Sequence, residues 1–173
     1  MKKRTVFRGR FVTVKQWRQP LPDGKNVVFE QAIRPDSVIV LPVDARERLV
    51  AIRERRWGSR QWIWNLPSGK VEGASALAAA RRELAEEARL AARYWRRVGE
   101  EHHTSGTVVW HLFVYVARGL TVVERPRDVG EATRPVVLPL RTAFQMAMAG
   151  KFPYGAIAYS IIRLWNERRT WLR

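Results

Sequence analysis

The chain has 173 residues, 46% of them hydrophobic, so it is long enough to bury the core of one compact domain. It has no cysteine and no apolar run of membrane-spanning length, which excludes disulfides, thiolate metal sites, cysteine nucleophiles and a transmembrane helix. The formal net charge of +16 predicts attraction to polyanions, such as phosphorylated metabolites, nucleic acid or an anionic surface.

The N-terminal part is predicted to be a small antiparallel sheet. Residues 5–34 alternate apolar and polar side chains, and a turn sequence occupies residues 22–25. The charged start leads into this pattern rather than into an apolar signal region, so we expect a cytoplasmic protein without a membrane partner. We take residues 1–36 as a β-region of the same unit as the main domain, residues 37–173.

The next segments predict strands that lead to a loop and a helix. The apolar run 37–43 is typical of a buried strand, residues 49–53 of its hairpin partner, and residues 61–66 of a further strand. A loop with the sequence Pro-Ser-Gly-Lys follows at 67–70. Ser75 is then a good N-cap for an alanine-rich helix that we expect to reach about residue 92.

This helix carries three carboxylates, Glu83, Glu86 and Glu87, on neighbouring positions of one face. Like charges repel, but a hard divalent cation would stabilise them, and Mg²⁺ prefers such oxygen ligands; Mn²⁺ is a second possibility. The alternative is an ordinary solvated helix face, in which Arg82 and Arg89 pair with Glu86.

The C-terminal part predicts one strong strand and two helices. The strand covers residues 108–117, the first helix covers 140–149 before Gly150, and the second runs from 155 to about 168. Ile157, Ile161 and Leu164 fall on one face of the second helix, which should face the core. The order of elements indicates an α/β fold with a sheet between helices.

The loop and helix resemble the signature of the Nudix hydrolases. The resemblance equates Gly69 with the loop glycine and Arg82 with the helix arginine, and it makes Glu83, Glu86 and Glu87 the metal carboxylates, with Ser68 beside them as a further metal residue. It implies an α/β/α sandwich with a mixed central sheet and a small N-terminal antiparallel sheet. The chain departs from the pattern in a loop shorter by one residue, in Ala74 where a glutamate is expected, and in Arg89 where a glycine is expected.

Segments 7–10, 21–24, 64–69 and 137–140 are similar to the ADP-ribose pyrophosphatase branch of that family. The similarity implies a homodimer formed partly through residues 5–35. It also implies a catalytic glutamate in the loop 125–134, for which Glu131 is the candidate general base and Asp128 the reserve, acting with Glu86 and Arg82.

Substrate contacts are predicted at three further residues. Arg53 and Arg56 match two arginines of the family, one of which often contacts the substrate diphosphate, a task suited to a guanidinium. The alternative is a charged, exposed strand. Trp110 stands where the branch has a glutamate, and its indole is suited to stacking on a base.

Two functions remain open from the sequence. The first is a Mg²⁺-dependent hydrolase that cleaves the pyrophosphate bond of a nucleoside diphosphate derivative, such as ADP-ribose or another nucleotide sugar. The second is a catalytically weak or inactive Nudix domain that binds RNA or another polyanion through its basic surface. The three glutamates favour the enzyme, whereas Ala74 and Arg89 favour the binding domain.

Overall fold

The computed structural model describes residues 2–55, 61–73, 75–104, 106–124 and 132–173. The strands and helices in this part of the chain are β1 (Arg4–Arg8), β2 (Thr13–Pro20), β3 (Asn26–Ile33), β4 (Ser37–Pro42), β5 (Arg48–Arg55), β6 (Trp62–Asn65), β7 (Ser68–Lys70), α1 (Ala76–Ala88), β8 (Leu90–His103), β9 (Val108–Val122), β10 (Ala132–Pro139), α2 (Leu140–Met148) and α3 (Gly155–Trp171). None of the helices in these ranges has the length and apolar character needed to cross a membrane.

The strands form a large mixed sheet and a small antiparallel one. The large sheet has the order β1-β2-β3-β9-β4-β7, with β8 also paired to β9, and the small sheet has the order β10-β5-β6. Strand β9 runs parallel to β3 and β4 and antiparallel to β8. The predicted N-terminal antiparallel sheet is confirmed as β1 to β3, and β3 joins it to the central sheet through Ala32 and Ile33.

The central strand β4 is buried on both faces, as its continuous apolar run predicts. Ile39 and Leu41 pack with Ile157, Ile161 and Leu164 of α3, all of them buried. Val38 and Val40 face the other way and pack against α1 at alanines and Leu84. The α/β/α sandwich is therefore confirmed, and α1 lies directly over β4.

The predicted hairpin of residues 37–43 with residues 49–53 is wrong. Strand β4 pairs with β7 and β9, whereas β5 pairs with β10 and β6 in the other sheet. Val43 and Leu49 form only an isolated bridge. The turn between them is held by Asp44, whose carboxylate accepts the N–H groups of Arg46 and Arg48 and lets the chain pass between sheets.

The predicted end of the first helix is also wrong. Helix α1 ends at Ala88, not near residue 92, because Arg89 adopts the left-handed conformation with φ 56° and ψ 40°. Its N–H binds the carbonyl of Leu84, and β8, which the sequence did not predict, begins at the next residue. The positive φ at position 89 explains why the family pattern has glycine here, because glycine adopts positive φ at little cost.

We therefore expect Arg89→Gly to stabilise the protein, by up to about 1 kcal/mol in the free energy of unfolding, since it relieves the cost of the left-handed conformation. Arg81→Gly is the matched control, because Arg81 is exposed inside α1 and glycine there should destabilise by about 1 kcal/mol. Denaturant unfolding of both variants measures the two effects. Destabilisation by Arg89→Gly would contradict the explanation.

Candidate active site

Helix α1 begins at a side-chain cap and lies against the loop that precedes it. The Oγ of Ser75 accepts the N–H of Ala78 at 3.1 Å, which fixes the first turn of the helix. Strand β7 of the loop pairs with β4 through Gly69 and Val38, so loop and helix cover the same strand. The helix face that meets the loop carries Glu83 and Glu87, which are only 8% and 7% exposed.

Glu87 is held on both its side chain and its backbone. Its Oε2 accepts the backbone N–H of Ser68 at 2.8 Å, and its carbonyl oxygen accepts the hydroxyl of Thr133 on β10 at 3.1 Å. Thr133 itself is buried. Ser68, predicted as a metal residue, thus contacts a predicted metal carboxylate through its backbone N–H.

Glu83 lies directly over Gly69. A Cβ atom built at position 69 would overlap the Glu83 carboxylate, so the close approach of helix and loop requires glycine there. The Nη2 of Arg82 donates to the Glu83 carboxylate and to the carbonyl oxygen of Lys70, the latter at 2.9 Å. Arg82 therefore fastens the helix to the loop on the same side.

We expect Gly69→Ala to displace the Glu83 carboxylate and to reduce the hydrolysis that the Nudix resemblance implies by about 10-fold or more, since a misplaced group of an active site is costly. The melting temperature should fall as well, by overpacking worth about 1–3 kcal/mol. Ser68→Ala is the control, because it alters the neighbouring side chain but keeps the N–H that binds Glu87. Wild-type kinetics for Gly69→Ala would refute the predicted overlap.

Arg82 is surrounded by carboxylates. Partial burial lowers the pKa of its guanidinium, but the hydrogen bond to Glu83 and the charges of Glu83, Glu72 and Glu86 outweigh burial and leave the pKa raised. Nitrogen-to-oxygen distances to Glu72 and Glu86 are both 3.5 Å. Glu72, which was not predicted from the sequence, supplies a loop carboxylate for Arg82. Ala74, where the family pattern has a glutamate, lies outside the described residues.

The donor set on α1 suits a hard divalent cation. Glu83, Glu86 and Glu87 offer carboxylate oxygens, the ligands that Mg²⁺ and Mn²⁺ prefer, and two of these side chains are buried in a strongly basic protein. Within the described ranges, no three acidic or histidine side chains already form a set that could hold a metal ion. Arg82 contacts two of the three carboxylates, so cation binding would compete with it.

The loop and helix open into a cleft with a volume of about 560 Å³. Ser68, Gly69, Lys70 and Glu87 form its metal-loop side. Residues from other elements complete the walls, among them Arg34, Glu54, Asn65, Trp110 and Tyr154. The volume and the mixture of aromatic and charged walls suit a small phosphorylated ligand.

Glu54 and Asn65 are cleft residues that the sequence analysis missed. The Nδ2 of Asn65 donates to Oε2 of Glu54 at 2.7 Å, and Oδ1 of Asn65 accepts the N–H of Leu66 at 2.9 Å, at the start of the metal loop. Glu54 is opposite Thr133 in the β5–β10 register, and Thr133 binds the carbonyl of Glu87. A fourth carboxylate therefore lies beside the helix face of Glu87.

Trp110 lines the cleft, as predicted for a substrate contact, but its ring already has neighbours. The imidazole of His103 stacks on it with centroids 4.6 Å apart and an interplanar angle of 6°, and the guanidinium of Arg34 lies 5.2 Å from its centroid. A ligand at this end of the cleft would therefore meet both an aromatic ring and a cation. Arg34 had no recognisable signal in the sequence.

Of the predicted site residues that the structure describes, Ser68, Glu87 and Trp110 line the cleft. Arg82, Glu83 and Glu86 do not line it, and neither does Arg53. Its Nη2 donates to the carbonyl of Trp62 at 2.7 Å, and its guanidinium lies 4.8 Å from the Trp64 ring centroid. Its contact with a substrate diphosphate stays a prediction. Arg56, Asp128 and Glu131 lie outside the described residues.

The loop and helix of this site lie within a region that matches a known protein family. A model described as NUDIX domain matches residues 33–157, which is most of the chain. The chain belongs to the Nudix family. Members of this family generally use divalent metal ions, in agreement with the oxygen-rich face of α1.

Two curated relatives are hydrolases. The chain is 30% identical over 149 residues to the CMP-5'-(N-acetyl-N-hydroxy-3-aminopropyl)phosphonate hydrolase of Streptomyces rubellomurinus (strain ATCC 31215), covering 86% of this chain and 72% of that protein. It is 27% identical over 130 residues to the ADP-ribose pyrophosphatase of Bacillus subtilis (strain 168), covering 75% of this chain and 70% of that protein.

A solved structure supports the fold. The crystal structure of an ADP compounds hydrolase matches with a TM-score of 0.81 at 23% identity, covering 98% of this chain and 94% of that one. The resemblance to Nudix hydrolases and their ADP-ribose branch is thereby confirmed, and the family and its hydrolase relatives identify this Nudix protein as a pyrophosphohydrolase.

Proposed function

We propose that this Nudix protein is a Mg²⁺-dependent hydrolase that cleaves the pyrophosphate bond of a nucleoside diphosphate derivative, with ADP-ribose or another nucleotide sugar as the substrate class. The observation that supports this most directly is that one cleft contains the buried carboxylate Glu87, the cations Arg34 and Lys70, and the aromatic ring of Trp110. The named relatives, which act on ADP-ribose and on a CMP-linked phosphonate, support a nucleotide substrate.

Each group of the cleft has a task that fits its chemistry. A divalent cation bound by Glu83, Glu86 and Glu87 would supply charge neutralisation at the diphosphate and a more acidic water. Lys70 and Arg34 line the cleft and are suited to bind phosphate oxygens, and Arg82 would orient Glu83 and Glu86 until the cation replaces it. Glu131 is the proposed acceptor of the proton from the attacking water.

Glu54 is suited to contact a sugar rather than a phosphate. Its carboxylate accepts a hydrogen bond from Asn65 and lines the cleft, where a second acceptor oxygen can bind a ribose hydroxyl. The same negative charge would repel an additional phosphate. This favours a nucleotide sugar over a nucleoside triphosphate.

The experiment is a hydrolysis screen with and without Mg²⁺. Its substrates are ADP-ribose and other nucleotide sugars, a CMP-linked phosphonate, dinucleoside polyphosphates, oxidised nucleoside triphosphates and capped RNA. Turnover that requires the cation and is fastest with a nucleotide sugar supports the proposal. Turnover confined to triphosphates or capped RNA contradicts the substrate class, and no turnover of any compound contradicts the function.

The alternative of a non-catalytic RNA-binding domain is not favoured, because both curated relatives are hydrolases. It would predict RNA binding whose affinity falls steeply with salt through counterion release.

We further propose that the protein is a homodimer through residues 5–35. Strand β1 is an edge strand with every residue exposed, and exposed apolar side chains accompany it, including Val6, Phe7 and Val28. An exposed apolar edge of this kind favours pairing with a second copy.

The double variant Phe7→Ser with Val28→Ser should therefore shift the protein from dimer to monomer at micromolar concentration, because it removes apolar surface that only a partner would cover. Light scattering after size exclusion measures the mass. Met148→Ser is the control, since Met148 is equally exposed apolar surface on α2, away from the N-terminal sheet. A monomeric wild type, or a dimer that persists in the double variant, would contradict the proposal.

A further inference from the structure

A second cavity, with a volume of about 580 Å³, lies at the opposite end of β9 from the catalytic cleft. Strands β8 and β9 form its walls, with the turn after β4 and the end of α3. Trp110 of the cleft and Arg118 of this cavity lie on the same strand, separated by about 26 Å of extended chain. The cavity is therefore a separate place on the molecule.

The cavity combines an aromatic wall with cations. Tyr94 lies on the same face of the β8–β9 pair as Arg96 and Arg118, and it is directly opposite Arg118. The ring of the next residue, Trp95, packs on the other face against Tyr115. Arg96 is fixed by a hydrogen bond from its Nη1 to the carbonyl oxygen of Thr170. Arg118 is half-buried, and among the described residues no carboxylate lies within ion-pair distance of it.

The acidic residue of the wall does not neutralise these cations. The carboxylate of Asp44 is bound by the guanidinium of Arg48, with Nη2 to Oδ2 at 2.7 Å, and by backbone N–H groups of the turn. Burial raises the pKa of Asp44, but the hydrogen bonds of Arg48 and Arg46 outweigh it and leave the pKa below its usual value. The positive charge of Arg96 and Arg118 is thus available to a ligand.

Gly119 shapes the aromatic rim. It has φ 66°, and a Cβ atom there would lie 3.2 Å from Cδ2 of Tyr94 and 3.0 Å from Cβ of Arg93. The Tyr94 ring can therefore lie across the backbone of β9, where it stays 56% exposed. The guanidinium of Arg93 lies 5.2 Å from the centroid of this ring. An exposed ring held beside a guanidinium is a suitable surface for a planar, anionic ligand.

We propose that this cavity is a second binding site, which takes a nucleoside monophosphate with its base against Tyr94 and its phosphate on Arg118 and Arg96. The guanidiniums of Arg96 and Arg118 favour an anionic ligand. The exposed ring of Tyr94 favours a ligand with a planar base over a free phosphate. A fatty acid could bind a guanidinium through its carboxylate, but it has no planar ring to lie against Tyr94. The proposal does not depend on the hydrolytic function.

The test is calorimetric titration of the full chain with AMP, in buffer with a chelator so that metal-assisted binding in the catalytic cleft is suppressed. Arg118→Gln should weaken AMP binding about 10-fold, the effect of losing one charge-assisted contact. Tyr94→Leu should weaken it by about fivefold or more through lost stacking. Inorganic phosphate and adenosine, the two halves of the ligand, should each bind more weakly than AMP.

Two controls make the result decisive. Arg141→Gln removes the same charge from an exposed position of α2 and should leave AMP binding unchanged. Arg34→Gln weakens any binding of AMP in the catalytic cleft and should leave unchanged the binding that Arg118→Gln removes. Equal losses in Arg118→Gln and Arg141→Gln would show general charge attraction and overturn the site, as would loss only in Arg34→Gln or no binding of AMP at all.

Discussion

Replacing Glu87 with glutamine is expected to reduce hydrolysis by about 10²–10³-fold while the protein stays folded. The glutamine oxygen can still accept the N–H of Ser68, and the backbone carbonyl can still accept the hydroxyl of Thr133. What is lost is one negative charge on the face of α1. Because Glu87 is only 7% exposed, water has little access to the site and would not compensate for the lost charge.

Glu83→Gln should behave in the same way, although Arg82 would also lose its charged partner. Steady-state kinetics over a Mg²⁺ titration measures the loss, and the increase in melting temperature on adding Mg²⁺ or Mn²⁺ measures cation binding without turnover. Glu124→Gln is the control, because Glu124 is an exposed carboxylate outside the cleft. Full activity of both variants in metal-free buffer would refute the assignment of these carboxylates.

The parts of the fold that could be predicted from the sequence are those whose pattern is local. The run 37–43 indicated a strand buried on both faces, and the spacing of Ile157, Ile161 and Leu164 indicated the inward face of α3. The pairing of strands could not be predicted in this way. Strands β4 and β5 follow each other in the chain, but they belong to different sheets, because the turn at Asp44 redirects the chain.

Strand β8 was missed for a physical reason. Its first residues, Leu90 to Ala92, continue the alanine-rich helical pattern, and its later residues are largely charged. Only the left-handed conformation of Arg89 ends the helix, and arginine gives no sign of that conformation. Pairing with β9 then stabilises residues whose own propensity is not that of a strand.

The part of the candidate site that could be predicted from the sequence is the part that lies on one helix. Glu83, Glu86 and Glu87 share a helix face by spacing alone, and Gly69 precedes them at a short distance in sequence. Glu54, Asn65 and Arg34 come from three other strands or their ends, and only the sheet topology brings them to one cleft. The sequence predicts a substrate contact at Arg53, whereas the residue that lines the cleft is its neighbour Glu54, on the alternate face of β5.

Replacing Glu131 with glutamine is expected to lower the turnover rate by about 10²–10⁴-fold with little change in substrate affinity, if this residue is the general base. Glu131 itself lies outside the described residues, but Thr133, two positions later, binds the carbonyl oxygen of Glu87 and is opposite Glu54 in the sheet. The described part of β10 thus begins beside the metal face of α1.

Pre-steady-state and steady-state kinetics of Glu131→Gln should therefore show a lower kcat at unchanged substrate binding. The increase in kcat with pH that comes from deprotonation of the base should also disappear. Asp128→Asn is the informative comparison, because it neutralises the other acid of the same loop. If Asp128→Asn is slow and Glu131→Gln is not, the base is Asp128. If neither variant is slow, proton transfer belongs to a carboxylate of the cleft, and Glu54 is the described candidate, because it alone among the cleft acids named here lies off the metal helix.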